Sequence, residues 1–483
     1  MERLRNPIPA RVGVFGIGLA AYWPQFAGLR ERLVGYQSHV EEQVRNHGGQ
    51  VVSAGLVDTP EGARRAGETF AREGVDLLFC YVGTYATSAQ VLPVVQRAKA
   101  PVVVLNLQPT PALDYPNTGT GEWLANCCAC CVPEIAGAFQ RAGVPFRSVS
   151  GLLFAQDGAA GVEAWVRIAE WVRAATAVRS LREARIGFLG NTYPGMLDMY
   201  SDFTLLHGAL GLHVEVLEMC DLHRRVQDAA PGEVAAKREE IRASFDIADP
   251  SSDPIADTVR DEDLEWASRV AAGLYKLVED YGLDGLTYYY KGLDNEYERV
   301  SAGMIAGLSM LTGRGVPCSG EGDLKTCVAM HLMDRLGAGG SYTEFYAMDF
   351  VDDFVLMGHD GPGHLAISDE KPVLRKLKLY HGKAGFGVSP EFKVRLGPVT
   401  ILGATQTGDG RVKLLAAEGE SIPGPIMQIG NTNSRLRFAQ PPAAFVDAWC
   451  AQGPTHHCAL GVGHRAGELR KIADLLGVEL AVV

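Results

Sequence analysis

The chain has 483 residues, 47% hydrophobic and 21% charged. That balance is ordinary for a globular protein, but the length is too great for one core at about 100–200 residues per domain. Its 57 acidic and 45 basic residues give a net charge of −12, which argues against nucleic acid or an anionic membrane as partner, because both would repel it.

The opening "MERLRNPIPARVGVFGIGLAAYW" sets arginines before an apolar run, as a signal peptide does. Two prolines interrupt it, and "RVGVFGIG" reads as a first buried strand and its turn. Residues 11–155 then alternate short apolar runs ("RVGVFGI", "QVVSAGLV", "VDLLFCYV", "APVVVLNL", "SVSGLLFA") with amphipathic stretches such as 60–73 and 85–98. This rhythm predicts a parallel sheet with helices on both faces. Gly16 and Gly18 follow the first run, which suggests a dinucleotide loop. The third glycine is missing and no acidic residue ends a clean second strand, so a tight strand-to-helix turn is the preferred reading.

"GEWLANCCACCVPEIAG" (121–137) contains Cys127, Cys128, Cys130 and Cys131. On one helix these cover too broad an arc to close a tetrahedron, and cysteine packs as a small hydrophobe, so packing is preferred to metal binding. The other six cysteines are scattered, which does not suit a disulfide framework and predicts a reducing, cytoplasmic setting. No apolar run reaches the roughly 18–20 residues of a membrane span.

A helix over 160–178 leads to a second start, where "RIGFLG" (185–190) echoes "RVGVFG" (11–16). A strand "LHVEVLEM", helices near 230–245 and 258–282, and a strand "DGLTYYY" follow. After about residue 340 the runs "EFYAMDF", "DFVLMGH", "LRKLKLYHG", "EFKVRLGPVTILGAT" and "RVKLLAAEGE" are separated by Gly, Pro and Asp, the pattern of an antiparallel β domain or barrel. A helix near 441–451 and a helix–strand unit close the chain.

In "SGEGDLKTCVAMHLMDRL" (319–336), Leu324, Cys327, Val328, His331, Leu332 and Leu336 share one helical face. Asp323 is a natural N-cap. Glu321 therefore stands in a Gly-Glu-Gly turn where a charged side chain has little structural duty, while His331 reads as a core histidine. Glu344, His359, His364, His456 and His457 follow in turns or at strand edges. Carboxylates with imidazoles and no thiolate suit a divalent ion of the Mn²⁺ type, though spacing alone does not bring them together.

Four of these stretches, in this order, resemble motifs of the L-arabinose isomerase and L-fucose isomerase superfamily. "GEGDLKT" and "SYTEFY" are similar to its two glutamate motifs, "VLMGH" to the strand of its first metal histidine, and "GPTHHCAL" to its double-histidine motif. The resemblance covers the C-terminal 200 residues well and the rest as a similar domain plan. It implies an α/β fold of two Rossmann-like domains (1–180 and 181–340) followed by a mainly antiparallel β-barrel domain with closing helices (341–483). It implies Glu321, Glu344, His359 and His457 as metal ligands, with His456 and His364 beside them. The cofactor implied is Mn²⁺, with Co²⁺ or Mg²⁺ as alternatives.

The activity implied is interconversion of an aldose and its 2-ketose through an ene-diolate, with Glu321 and Glu344 as the acid/base pair and a Lewis-acid metal; a hydride shift is the mechanistic alternative. The resemblance also implies a homo-oligomer (trimer, tetramer or hexamer) with active sites at subunit interfaces. The family's sugar-holding loop after the first strand is replaced here by "GIGLAAYWPQF", where Gln25 is the substitute, and its aromatic sugar contact falls at Tyr290, followed by Lys291. His456 completes the expected substrate contacts. These departures leave open an anionic sugar (sulfonated, phosphorylated or carboxylated), and because paired α/β domains also form ligand clefts, a non-catalytic sugar-binding protein is the alternative of another class.

Overall fold

The computed structural model describes residues 2–291, 295–380 and 387–483. The chain divides into two compact units, residues 8–179 and residues 1–7 with 180–483.

In the first unit, β1 (Arg11–Ile17), β2 (Gln50–Val57), β3 (Leu77–Val82), β4 (Val102–Gln108) and β5 (Phe146–Leu152) form a parallel sheet in the order β2-β1-β3-β4-β5. β3 is buried throughout, as a central parallel strand covered on both faces should be. The helix Pro60–Glu73 starts at Thr59, whose side chain accepts from Gly62 N, and stops at Gly74 in the left-handed region. The expected helix over 85–98 is shorter. Thr87 and Gln90 cap a single tight turn, and the α-helix runs only from Leu92 to Ala98. Gly16 serves close packing: its N–H donates to Gln37 Oε1, and a Cβ there would lie 2.6 Å from that oxygen.

The second unit contains β6 (Arg185–Gly190), β7 (His213–Leu217), β8 (Asp246–Ile247), β9 (Ala256–Asp257), β10 (Gly285–Tyr289), β11 (Cys318–Ser319), β12 (Gly339–Asp349), β13 (Phe354–His359), β14 (Val373–Leu377), β15 (Ser389–Glu391), β16 (Gly397–Gln406), β17 (Val412–Ile422), β18 (Thr432–Phe438), β19 (His457–Val462) and β20 (Glu479–Val482). Among the described residues, β11-β10-β6-β7 is a parallel sheet, and β14 joins β8, β9 and β15. The remaining strands form one sheet ordered β16-β19-β12-β13-β18-β17-β20. Its pairings are antiparallel except β17 with β20, and β16 also pairs with β17.

The helix Leu324–Arg335 packs against β10 and β11 of the parallel sheet and against β12, β16 and β19 of the large one. Every residue of it is buried, rather than the single face expected, because it is covered from two sides. Two of its charged groups find partners there, whereas both ring nitrogens of His331 are buried without one. Lys325 Nζ donates to Tyr200 O and Ser201 Oγ, and Asp334 pairs with Arg335 and Arg3. Among the described residues no helix is long and apolar enough to cross a membrane.

Candidate metal centre

The turn before this helix is built around Glu321. Its φ is +59° and that of Gly322 is +72°, so two successive residues are left-handed, a conformation that costs a non-glycine residue on the order of 1 kcal/mol. The turn is pinned on both sides. Tyr193 N donates to Glu321 O, and Gly322 N donates to Tyr288 O, both at 2.9 Å. A Cβ on Gly322 would come within 2.3 Å of Asn191 O. The strained backbone aims the Glu321 carboxylate at β12, β13 and β19.

Those three strands are neighbours and carry the other groups. Glu344 pairs in register with Gly358 on β13 and with His457 on β19, and His359 ends β13. The Nε2 atoms of His359 and His457 stand 3.1 Å apart. Glu321 Oε1 and Glu344 Oε1 each lie 3.9 Å from His359 Nε2, and Glu321 Oε2 lies 3.8 Å from His457 Nε2. The four expected ligands, spread over the sequence, therefore converge.

The donor set fits a divalent ion. Two nitrogens bound at right angles about 2.1 Å from one ion stand about 3 Å apart, close to the histidine separation. Glu321 Oε2 is buried without a hydrogen-bond partner, which is costly unless a cation meets it. Burial raises the Glu321 carboxyl above the usual carboxylate range. The charges of His457 and His456 oppose the rise, and Glu344 and Asp323 add to it. Oxygen and imidazole donors suit Mn²⁺, Mg²⁺ or Co²⁺.

Behind His457 lies a support that the sequence did not reveal. Asp323 Oδ2 sits 3.0 Å from His457 Nδ1 and also accepts from Thr326 Oγ1. Facing a carboxylate, Nδ1 carries the proton, which leaves the Nε2 lone pair for a cation. Tyr342 OH lies 2.7 Å from the same Nδ1 and donates to Gly320 O at 3.3 Å. Its ring packs 4.4 Å from both histidine rings. Burial pushes the Asp323 carboxyl up, but its bonds to His457 and Thr326 and the Lys325 charge hold it below the usual range. Asp323 does cap the helix, accepting from Thr326 N, so a local duty hid its second one.

His456 stacks on His457 with ring centroids 3.8 Å apart, and its Nδ1 lies 2.7 Å from Asp198 Oδ2. It can join Glu321 and His457 in a second grouping of potential ligands. His364 is turned instead to Asp334, 3.4 Å away, and belongs to neither ligand group. His331 is fully buried, as expected of a core histidine.

Beside the Glu321 turn opens a cavity of about 440 Å³ lined by Asn191, Thr192, Tyr200, Ser201, Tyr289 and Lys291, among others. Tyr289, not the expected Tyr290, is on this wall. Neighbouring residues of an extended chain point to opposite sides, and Tyr290 packs on Tyr297. Gln25 lies exposed in the other unit, where its amide donates to Ala21 O.

The cysteine stretch departs from the single helix expected. One helix ends at Asn126 and the next begins at Val132, with Pro133 in its first turn. Cys128 and Cys131 pack in the core under the parallel sheet, as the packing reading holds, but Cys127 and Cys130 are joined by a disulfide.

Residues 339–479 match the model of the L-arabinose isomerase C-terminal domain, and residues 206–339 that of the L-arabinose isomerase central domain. An L-arabinose isomerase of Nocardioides sp. is 23% identical over 471 residues, which cover 93% of this chain and 91% of that protein. Those of Klebsiella pneumoniae and Yersinia enterocolitica are 25% and 24% identical, and each match spans 64% of the relative's length, just under two thirds. A periplasmic solute-binding protein from Actinobacillus succinogenes 130z with bound D-allose is 12% identical, covering 64% of this chain and 95% of that one, with a TM-score of 0.18 that is too low to bear on the fold.

Proposed function

Because this chain belongs to the L-arabinose isomerase and L-fucose isomerase superfamily, and is therefore an isomerase, we propose that it is a metal-dependent aldose–ketose isomerase with its reaction centre at Glu321, Glu344, His359 and His457. The observation that carries this is the convergence of two carboxylates and two imidazoles on one point.

Aldose–ketose interconversion moves a proton between C1 and C2 and another between O1 and O2. A bound Mn²⁺, or Co²⁺ or Mg²⁺, supplies Lewis-acid stabilisation of the negative charge that develops on the sugar oxygens. One of Glu321 and Glu344 removes the carbon-bound proton and returns it to the neighbouring carbon, while the other handles the hydroxyl protons. His359 and His457 would hold the ion, with Asp323 orienting His457 and the Tyr342 ring packed against both imidazoles. The division at 180 and 340 into three domains belongs to the same reading, as does a barrel form for the large sheet, supported by the pairing of β16 with both β19 and β17. A cytoplasmic homo-oligomer with its active site at a subunit interface is also part of it.

The test is a panel of aldoses incubated with the full chain and Mn²⁺ and read by ketose formation. About one ion per chain should bind, and E321Q and E344Q should each abolish turnover while leaving the circular dichroism unchanged. Turnover that survives both substitutions and chelation overturns the mechanism. Sugar binding without turnover by the Mn²⁺-loaded wild type favours a sugar-binding protein instead.

A second reading concerns the sugar. Lys291 puts an exposed cation on the wall of the cavity beside Glu321, which favours an aldose with a sulfonate, phosphate or carboxylate at its far end. Including charged aldoses in the panel decides this. K291M should raise KM for the anionic sugar at least tenfold and leave neutral aldoses unaffected. Equal loss on both removes the reading.

A further inference from the structure

We propose that Cys127 and Cys130 are a reversible dithiol–disulfide couple that exchanges with small thiols and disulfides, with Cys130 as the sulfur that meets the reagent. The two cysteines form a Cys-x-x-Cys unit in the crossover between the parallel strands β4 and β5, just before the helix Val132–Arg141. A thiol in this position is favoured as thiolate by the partial positive charge of a helix start, and this is a common setting for redox-active pairs.

The four cysteines divide by environment. Cys127 is 5% exposed and Cys130 is on the surface. Cys128 and Cys131 are buried, with Sγ atoms directed at the carbonyls of Leu107 and Thr84. Burial pushes the Cys128 thiol up to about 12 and raises that of Cys131, so both stay protonated and unreactive. No three of these sulfurs approach closely enough to hold a metal among the described residues. Thus one pair is core and the other is a bond that solvent reaches through Cys130.

The exchange balances without a further reagent. On oxidation, the Cys130 thiolate attacks an external disulfide, forms a mixed disulfide and releases one thiolate. Cys127 then attacks Cys130 Sγ, the protein disulfide forms, and the second external thiol leaves. The pair loses two electrons and two protons, which the external disulfide takes up as two thiols. Reduction runs the same steps backwards. The bond ties Cys127, the C-cap of the helix Thr120–Asn126, to the start of the next helix. The last turn of that helix also holds Asn126, which accepts from Thr110 Oγ1 and donates to Glu122 O. Reduction therefore loosens a defined turn.

The test uses the full chain, equilibrated with reduced and oxidised glutathione at fixed ratios, alkylated without denaturant and analysed by fragmentation mass spectrometry. The Cys127–Cys130 pair should pass from dithiol to disulfide, two hydrogens lighter, in one two-electron transition, while Cys128 and Cys131 stay unalkylated. In C127S a glutathione adduct should accumulate on Cys130, and in C130S the adduct on Cys127 should be at least tenfold weaker. The proposal is overturned by a pair that alkylates at every ratio. It is equally overturned by a bond that resists excess dithiothreitol in the native protein, or by an adduct that prefers Cys127.

Discussion

His457 Nε2 faces His359 Nε2 at 3.1 Å while its Nδ1 rests 3.0 Å from the buried carboxylate of Asp323. The two contacts are chemically linked, because the carboxylate fixes the proton on Nδ1 and so fixes the lone pair on the side where a cation is needed. D323N keeps an acceptor for the Thr326 N–H, and therefore keeps the helix cap, but it weakens this orientation. Mn²⁺ affinity should fall about 10–100-fold, the usual effect of removing such a support, with little change in melting temperature. Isothermal titration of the metal-free protein reads the affinity, and scanning calorimetry reads the melting temperature. An unchanged affinity would show that Tyr342 alone orients the ring.

Glu321 holds a left-handed backbone and a buried, unpartnered carboxylate oxygen. Both features cost stability, which a bound cation would offset. E321G removes them together, so the metal-free protein should gain about 1 kcal/mol and lose all isomerase activity. Denaturant melts of the metal-free forms read the gain, and saturating Mn²⁺ should reverse the order by stabilising the wild type alone.

Next to it, Gly322 has no freedom to acquire a side chain. G322A places a methyl group 2.3 Å from Asn191 O at a φ of +72°, so the turn or the loop after β6 must shift. A loss of roughly 2–3 kcal/mol is expected, with Mn²⁺ binding impaired because Glu321 moves with the turn. Retention of wild-type metal affinity in a folded G322A protein would mean that the turn tolerates displacement.

The sequence made most elements legible because their patterns are local. β1, β2, β6 and the helix Pro60–Glu73 fall where the apolar periodicity puts them. β18 escaped because it opens on the polar "TNSR". The four candidate ligands were legible through their motifs: Glu321 sits in a turn and the two histidines at strand ends, whereas Glu344 lies inside β12, paired on both sides, and its motif alone marked it. Asp323 was missed because capping already explained it. Tyr342 carried a usable signal, since it lies two residues before Glu344 on one strand and so faces the same side. Tyr289 and Tyr290 show the same alternation with the opposite result, because one residue of register decides which ring meets the cavity. The cysteine turn was also marked in advance, by Pro133, which starts a helix more readily than it continues one.

His331 offers a prediction that does not involve the reaction centre. It lies fully buried in the helix Leu324–Arg335. Burial, with the Arg335 charge adding and Asp334 opposing, lowers its pKa from an ordinary 6.5 to about 3. The folded state therefore keeps the ring neutral where the unfolded chain would protonate it. The stability this gives is complete above the unfolded pKa near 6.5, and it is lost as pH falls through the window between 6.5 and about 3. At about 1.4 kcal/mol per pH unit, the group removes on the order of 2–3 kcal/mol between pH 7 and pH 4.5. Asp334 nearby is held far below the usual carboxylate range, as burial is outweighed by His364, Arg335 and Arg3, so it stays ionised through this window. H331L should therefore flatten the acid side of the stability profile. Unfolding free energies from urea melts at pH 7 and pH 4.5 should differ less for H331L than for the wild type by that amount, and an equal pH difference in the two proteins would show that His331 titrates in the folded protein as it does in water.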